Sequence, residues 1–400
     1  MTTNKMSTIA SRVGLWGVLT AAFSMNAPAA DLKNFITDLY GGDGITLDVF
    51  GAFPHAAHFT QGSLERLSAL NASIASGVGS FAFNSTVSSY TFDVESGAPV
   101  RSVESLGPIL AERAETVGKG KFNFALSYAH VKFDEFDGQD IKHIHLVFPH
   151  LGVDGPPPVP AFKRDTVEVD LNLDIAQDVL AMFGTYGITD QWDVGIILPL
   201  VHTRVRAVAV AQIVDHGGGP AFHRFGVLGD SPTDVTGGSA TGVGDVVLRS
   251  KYQFVKNQGS LPDMAARFQV TTPSGNDADL LGTGETAFEG MFVTSKKLGI
   301  FTPHFNVGYE ATTNSNRDNL RYTAGFDARV VPEQLTAAVE LLGRHYPHAD
   351  ATSENFLDVA FGLKWDPFGA VPINANFIIP INHDGLRSDL IWSVGIDYSF

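Results

Sequence analysis

The sequence predicts an all-β fold: a transmembrane antiparallel β-barrel of about 12 strands (12–14), with an N-terminal plug-like segment. Three observations predict it. Long segments of the second half alternate apolar and polar residues with a period of two, the signature of a strand with two unlike faces. The chain opens on an export leader, yet no later stretch reaches the ~18 apolar residues of a spanning helix, so only strands closed on themselves could cross a bilayer. Charged residues are 18% of the 400, against an average of about 25%, while mean hydropathy is only +0.06, far below a helical membrane protein.

Residues 1–29 read as a signal peptide. Lys5 and Arg12 form a basic start, Val13–Met25 an apolar stretch, and Ala27-Pro28-Ala29 a small-residue cleavage site. Thirteen apolar residues are fewer than the ~20 that span a bilayer. Residues 30–118 do not read as barrel. Leu64, Leu67, Asn71, Ile74 and Val78 follow helical spacing, which predicts a short amphipathic helix over 62–78. Gly41-Gly42-Asp43-Gly44 and the Ser/Gly/Thr-rich stretch around 76–97 read as irregular loop. Phe50, Phe53, Phe59, Phe81 and Phe83 need burial, and disordered segments are poor in aromatics. This part is therefore expected to fold into the lumen as a plug, with a periplasmic extension as the alternative.

Residues 119–400 are expected to form the barrel. Leu390, Trp392, Val394, Ile396, Tyr398 and Phe400 share one face of the last segment, opposite Asp389, Ile391, Ser393, Gly395, Asp397 and Ser399. Such a length matches a membrane strand of about 9–11 residues better than a sandwich strand of about 5–6. The same alternation predicts strands at 121–133, 166–187, 192–212, 242–255, 264–272, 285–297, 301–311, 320–330, 335–344, 355–365, 372–380 and 389–400. The gaps between them alternate long and short, as extracellular loops and periplasmic turns do. The short ones carry turn residues such as Thr189-Asp190 and Asp366-Pro367. Each apolar face is expected to meet lipid and each polar face the lumen.

Composition excludes several function classes. With 27 basic and 43 acidic residues the formal charge is −16, the wrong sign for a nucleic-acid partner. Zero cysteines remove disulfides, thiolate metal sites and a cysteine nucleophile. Among thirteen histidines, His143-x-His145 with His150, and His55-x-x-His58, have ligand-like spacing, but spacing fixes no fourth ligand. Solvated loop histidines are the preferred reading, with no metal, cofactor or catalytic residues assigned.

Thr241-Gly242-Val243-Gly244-Asp245-Val246-Val247-Leu248-Arg249-Ser250-Lys251-Tyr252 resembles the G-x-G-D-x-x-L-x-x-K-Y strand of a family of bacterial outer-membrane barrels. That family is assigned to transport in the phenol-degradation meta pathway. Thr272-Pro273-Ser274-Gly275 with Leu281-Gly282-Thr283-Gly284, and the hairpin Tyr186–Gly195, are similar to its other motifs, over roughly residues 166–400. The resemblance, distantly FadL-like, implies diffusion of small, often hydrophobic molecules.

The predicted lumen carries Glu168, Asp170, Asp174, Asp245, Asp327, Asp358 and Asp397 against Arg249, Lys251, Arg267, Arg321, Arg329, Arg344 and Lys364. These charges could brace the interior as ion pairs or line a polar passage. Trp392, Val394, Ile396 and Tyr398 are expected to face the membrane, and Phe400 to be the signal read by barrel-insertion machinery. The expectation is a non-enzymatic channel of the outer membrane, conducting a small hydrophobic or amphiphilic solute of aromatic or fatty-acid-like kind. Its expected partners are outer-membrane lipid, that machinery and the solute, with no nucleic acid. The alternatives are a barrel enzyme acting on envelope lipid and a non-conducting structural or adhesion barrel.

Overall fold

The computed structural model describes residues 31–47, 58–79, 90–93, 98–101, 110–150, 164–216, 223–225, 231–256, 259–313, 317–332, 334–347, 355–367 and 371–398. The expected signal peptide, the aromatics Phe50, Phe53, Phe81 and Phe83, and Phe400 lie outside the described residues.

Twelve strands form the barrel: β1 (Lys121–Phe133), β2 (Thr166–Gly187), β3 (Trp192–Val214), β4 (Val247–Val255), β5 (Asp263–Thr271), β6 (Ala287–Ser295), β7 (Phe301–Thr312), β8 (Asn319–Val331), β9 (Leu335–His345), β10 (Asn355–Trp365), β11 (Ile373–Pro380) and β12 (Ile391–Tyr398). Each pairs antiparallel with the next, and β12 returns to β1, with Val394 opposite Tyr128 and Ile396 opposite Leu126. The barrel is closed, so no edge strand is left with unpaired backbone groups. Most strands run 8–13 residues, about the length that crosses a bilayer. The expected strand over 242–255 is two elements. Thr233–Val243 pairs with the far half of β3, and Gly244–Val246 separates it from β4.

Strands β2 and β3 are twice as long, 22 and 23 residues. At about 3.3 Å per residue each reaches some 70 Å, more than double the ~30 Å hydrocarbon core. Their surfaces mark where membrane gives way to water. On the outer face of β2, Leu180, Met182 and Tyr186 give way to Asp178, Asp174, Asn172, Asp170 and Glu168. On β3, Ile196, Leu198 and Leu200 give way to His202, Arg204 and Arg206. The register sets Leu180 opposite Leu200 and Asp178 opposite His202, so both boundaries fall at one height.

This overturns one expectation. Glu168, Asp170 and Asp174 lie on the outer face, whereas Val167, Val169, Leu171, Leu173 and Ile175 are buried on the inner face. The reason is that the far halves of β2 and β3 wrap a small apolar core instead of standing in lipid. That core is made by residues 31–47 and by helix α1 (Thr60–Gly79), which buries Leu67, Ile74 and Val78 beside Leu32, Phe35, Ile36, Leu39 and Phe59. Asn71 holds the assembly from within, its Oδ1 accepting from Ile36 N at 3.0 Å and its Nδ2 donating to Lys33 O at 2.6 Å. The helix therefore caps the barrel at the end that carries the longest connections, 134–165 and 215–246, and does not lie inside the barrel wall.

Around the rest of the barrel the large apolar side chains point outward. Leu248, Tyr252, Phe268, Phe292, Phe305, Phe326, Phe361 and Phe377 are exposed, and their strand neighbours are buried or half-buried. On β12, Val394 and Ile396 are each 43% exposed while Gly395 and Asp397 are buried, and Trp392 is half-buried against Tyr128 and His130. The side chain of Tyr398 lies outside the described residues. We expect Val394→Arg to cost about 2–4 kcal/mol, the penalty of a lipid-facing arginine near the bilayer midplane. Ser393→Arg, one residue on and facing the other way, should cost much less. Unfolding from lipid vesicles measures both, and equal costs would contradict the register.

Candidate functional site: a charged strap across the lumen

Residues 110–117 run through the barrel toward the end with the short turns. Leu110 N and Ala111 N both donate to Glu340 Oε2 at 2.9 Å, on β9. Lower down, Ala114 N donates to Ser295 Oγ and Val117 N to Asp193, and Thr116 Oγ1 reaches Asp190 O in the β2–β3 turn. Gly120 N then bonds Gly187 O and the chain turns up into β1. Glu112 and Arg113 are adjacent and reach partners on different strands, and Glu115 adds a second acid to the strap, its Oε2 accepting from Ser295 Oγ at 3.4 Å.

The wall is charged to match. Glu112 accepts from Lys251 Nζ at 3.0 Å and Arg267 Nη1 at 3.1 Å, with Arg249 Nη1 at 4.0 Å. Arg113 Nη2 donates to Asp327 Oδ1 at 2.7 Å across the lumen, and both side chains are essentially fully buried. His304 stands between Asp327 and Glu340. From the cationic side the pairs continue through Arg267 to Glu289, then Arg321, which bonds Glu310 at 2.7 Å. A buried charge left without its counter-ion is strongly destabilising, so these pairs hold the strap where it is.

The strap divides the space. Above it, toward α1, lies a cavity of about 190 Å³, and below it one of about 40 Å³. Glu112, Arg249 and Arg267 line both and so stand between them. The upper cavity has apolar walls, including Phe133, Met291, Leu342, Phe356, Ile378 and Leu386. Its charged lining is mostly cationic: Arg249, Arg267, Arg321, Arg344 and Arg387, against Glu112, Glu289 and Asp358.

Of the residues singled out in the sequence, the structure gathers Arg249, Lys251, Arg267 and Arg321 into this network. Lys364 and Asp397 are buried together on the strands that flank β11. Two others sit elsewhere. Arg329 is at the short-turn rim, its guanidinium on Gly299 O. Asp245 is no lumen residue but a loop clasp: it accepts from Gly275 N at 2.9 Å, Thr283 N at 2.7 Å and Thr283 Oγ1 at 2.9 Å. A Cβ at Gly282 would run into that carboxylate, so the clasp requires glycine there. The G-x-G-D and L-G-T-G motifs are thus two halves of one contact. Sequence reasoning missed Glu112, Arg113, Glu289 and Glu340. The available signal was an adjacent Glu-Arg pair in an otherwise aperiodic stretch, facing a surplus of arginine on β4 and β5.

The histidines divide as well. His143 and His145 are exposed, held by Asp140 at 2.8 Å and by Asp170 at 2.8 Å. The Lys142 amide and the His143 ring hold the Asp140 carboxyl below the usual carboxylate range. His150 lies apart from them, against His58. His55 lies outside the described residues.

A family model described as "Putative MetA-pathway of phenol degradation" matches residues 158–376. No curated protein matches the chain. Among solved structures, an outer membrane channel from Pseudomonas putida F1 is similar at 14% identity and a TM-score of 0.48, covering 73% of this chain and 100% of that one. The CymD monoaromatic hydrocarbon channel is similar at 9% identity and a TM-score of 0.35, covering 71% and 89%. A Pseudomonas aeruginosa FadL homologue is similar at 10% identity and a TM-score of 0.34, covering 70% and 90%.

The hub role of Glu112 has a direct consequence. Glu112→Ala removes the carboxylate that the buried Lys251 and Arg267 share, leaving excess positive charge in the lumen, and should destabilise the folded barrel by about 3–5 kcal/mol. Urea unfolding from lipid vesicles measures it, and a cost under about 1 kcal/mol would place the hub elsewhere.

Proposed function

The chain belongs to the MetA-pathway family of phenol degradation, and we propose that it is an outer-membrane channel passing a small amphiphilic solute by diffusion, aromatic or fatty-acid-like in kind. The observation that carries this reading is the upper cavity. An apolar cavity of about 150 Å³ holds benzene, so about 190 Å³ is room for a single ring. Its five arginines against three carboxylates favour a solute with a carboxylate or phenolate end, which a guanidinium fork binds in two places. The apolar walls then take the ring or chain. Arg387 already makes this kind of contact, lying 5.0 Å over the Phe356 ring.

Barrel size supports the same reading. About eight strands are filled by side chains and 16–18 leave an aqueous channel, so twelve leave a passage that a single strap of chain can occupy. Residues 1–29 serve as the export signal, Phe400 as the feature read by insertion machinery, and the outer apolar belt as the surface for lipid. Passage without chemistry is preferred to an envelope-lipid enzyme. The buried acids and bases are paired with one another and with the strap, not aimed at one reacting atom.

Uptake of benzoate and of glucose into vesicles holding the purified protein tests the proposal. Benzoate should enter faster than glucose, and Arg344→Ala, which leaves the strap contacts intact, should slow benzoate severalfold. Benzoate entry no faster than into protein-free vesicles would refute it.

A further inference from the structure

Outside the lumen, three histidines from distant parts of the chain meet beneath the cap. His58 directly precedes Phe59 and α1, His150 follows the strand Ile144–Pro149, and His223 lies in the connection after β3. One ring nitrogen from each lies within 4.8 Å of the other two. His58 Nδ1 is 2.6 Å from His150 Nε2, and the His223 ring centre is 4.9 Å from that of His150. His150 and His223 are buried. Phe59 closes the group, its ring edge-on to both at 5.5 and 5.4 Å.

A hydrogen-bonded core pair would account for His58 and His150. It does not account for the third ring, which is aimed into the same space by a buried carboxylate: Asp165 Oδ2 lies 2.7 Å from His223 Nδ1. That contact places the proton on Nδ1 and turns the Nε2 lone pair toward the other two rings. A carboxylate behind a ligating imidazole is the usual outer support of a metal-bound histidine. We propose that His58, His150 and His223 form a three-imidazole site for a late first-row divalent cation of the zinc class, oriented by Asp165. Imidazole donors suit zinc, copper and nickel rather than magnesium or calcium. Three protein ligands leave a fourth tetrahedral position for water.

The location gives the site its role. His58 belongs to the cap, while His150 and His223 belong to two connections at the mouth. One ion would join all three, fixing α1 over the upper cavity, and its removal would loosen the cap without touching the strap.

Metal-stripped full-length protein in detergent, titrated with Zn²⁺ against a chromophoric chelator, tests this. One equivalent per chain is expected, together with the visible absorption of tetrahedral nitrogen-ligated cobalt when Co²⁺ replaces it. His223→Ala should weaken zinc binding at least tenfold, and Asp165→Asn by about 10–100-fold. The exposed His143→Ala should leave it unchanged, and heat-modifiability on SDS gels shows that each variant is folded. Should His223→Ala not fold, Asp165→Asn and the cobalt spectrum of the parent decide. Sub-stoichiometric zinc, zinc bound equally by the folded His223 or Asp165 variants, or an octahedral cobalt spectrum would overturn the proposal.

Discussion

Closure of the sheet is the constraint from which the rest follows. In hydrocarbon no water meets an unpaired N–H or C=O, so β12 must find β1, as the Trp392–His130 to Tyr398–Phe124 register shows. Closing twelve strands fixes the lumen at a width that side chains from the wall cannot fill alone. The space is filled instead by the eight residues of the strap, whose backbone donors and the charges of Glu112 and Arg113 are met by β3, β4, β5, β6, β8 and β9. The buried wall charges and the strap depend on each other, since either alone would leave ions buried without partners.

A second layer of organisation stands above the membrane. The doubled length of β2 and β3 lifts a sheet out of the bilayer, and its inner face is apolar because it packs against protein. Cap, far sheet and the described parts of the 134–165 and 215–246 connections make one small water-facing domain at the mouth. Lys33 reaches Asp277 at 2.6 Å, and Tyr40 N donates to Asp234, so the cap also touches the β5–β6 loop and the strand Thr233–Val243.

Much of the barrel was legible because alternation is a local property. The strands at 121–133, 166–187 and 355–365 are found with the boundaries that the pattern gives. What alternation does not carry is the medium on each side. For β2 the odd positions are apolar on both sides of the boundary apart from Gln177 and Thr185, so only the change on the even positions, from Leu180 to Asp178, reveals that lipid ends there. Thr233–Val243, rich in Gly, Ser and Thr, has no apolar face to show and merges with β4 in the sequence. The strap was illegible because its partners are distant: Glu112 answers Lys251 and Arg267, and Arg113 answers Asp327. Asp245 was misplaced for the opposite reason, as its motif reads like a strand end while its carboxylate serves a turn.

The central claim is that opposite charges on adjacent strap residues hold the passage closed. Single-channel conductance in planar bilayers tests it most directly, comparing the parent with the Glu112→Gln, Arg113→Gln double variant. Glu112→Gln is isosteric, Arg113→Gln is shorter but keeps an amide donor, and together they remove both charges. The account predicts openings in the variant that are larger or far more frequent than in the parent, while the barrel stays heat-modifiable. Conductance equal to that of the parent would contradict it, and would leave the strap as packing material alone.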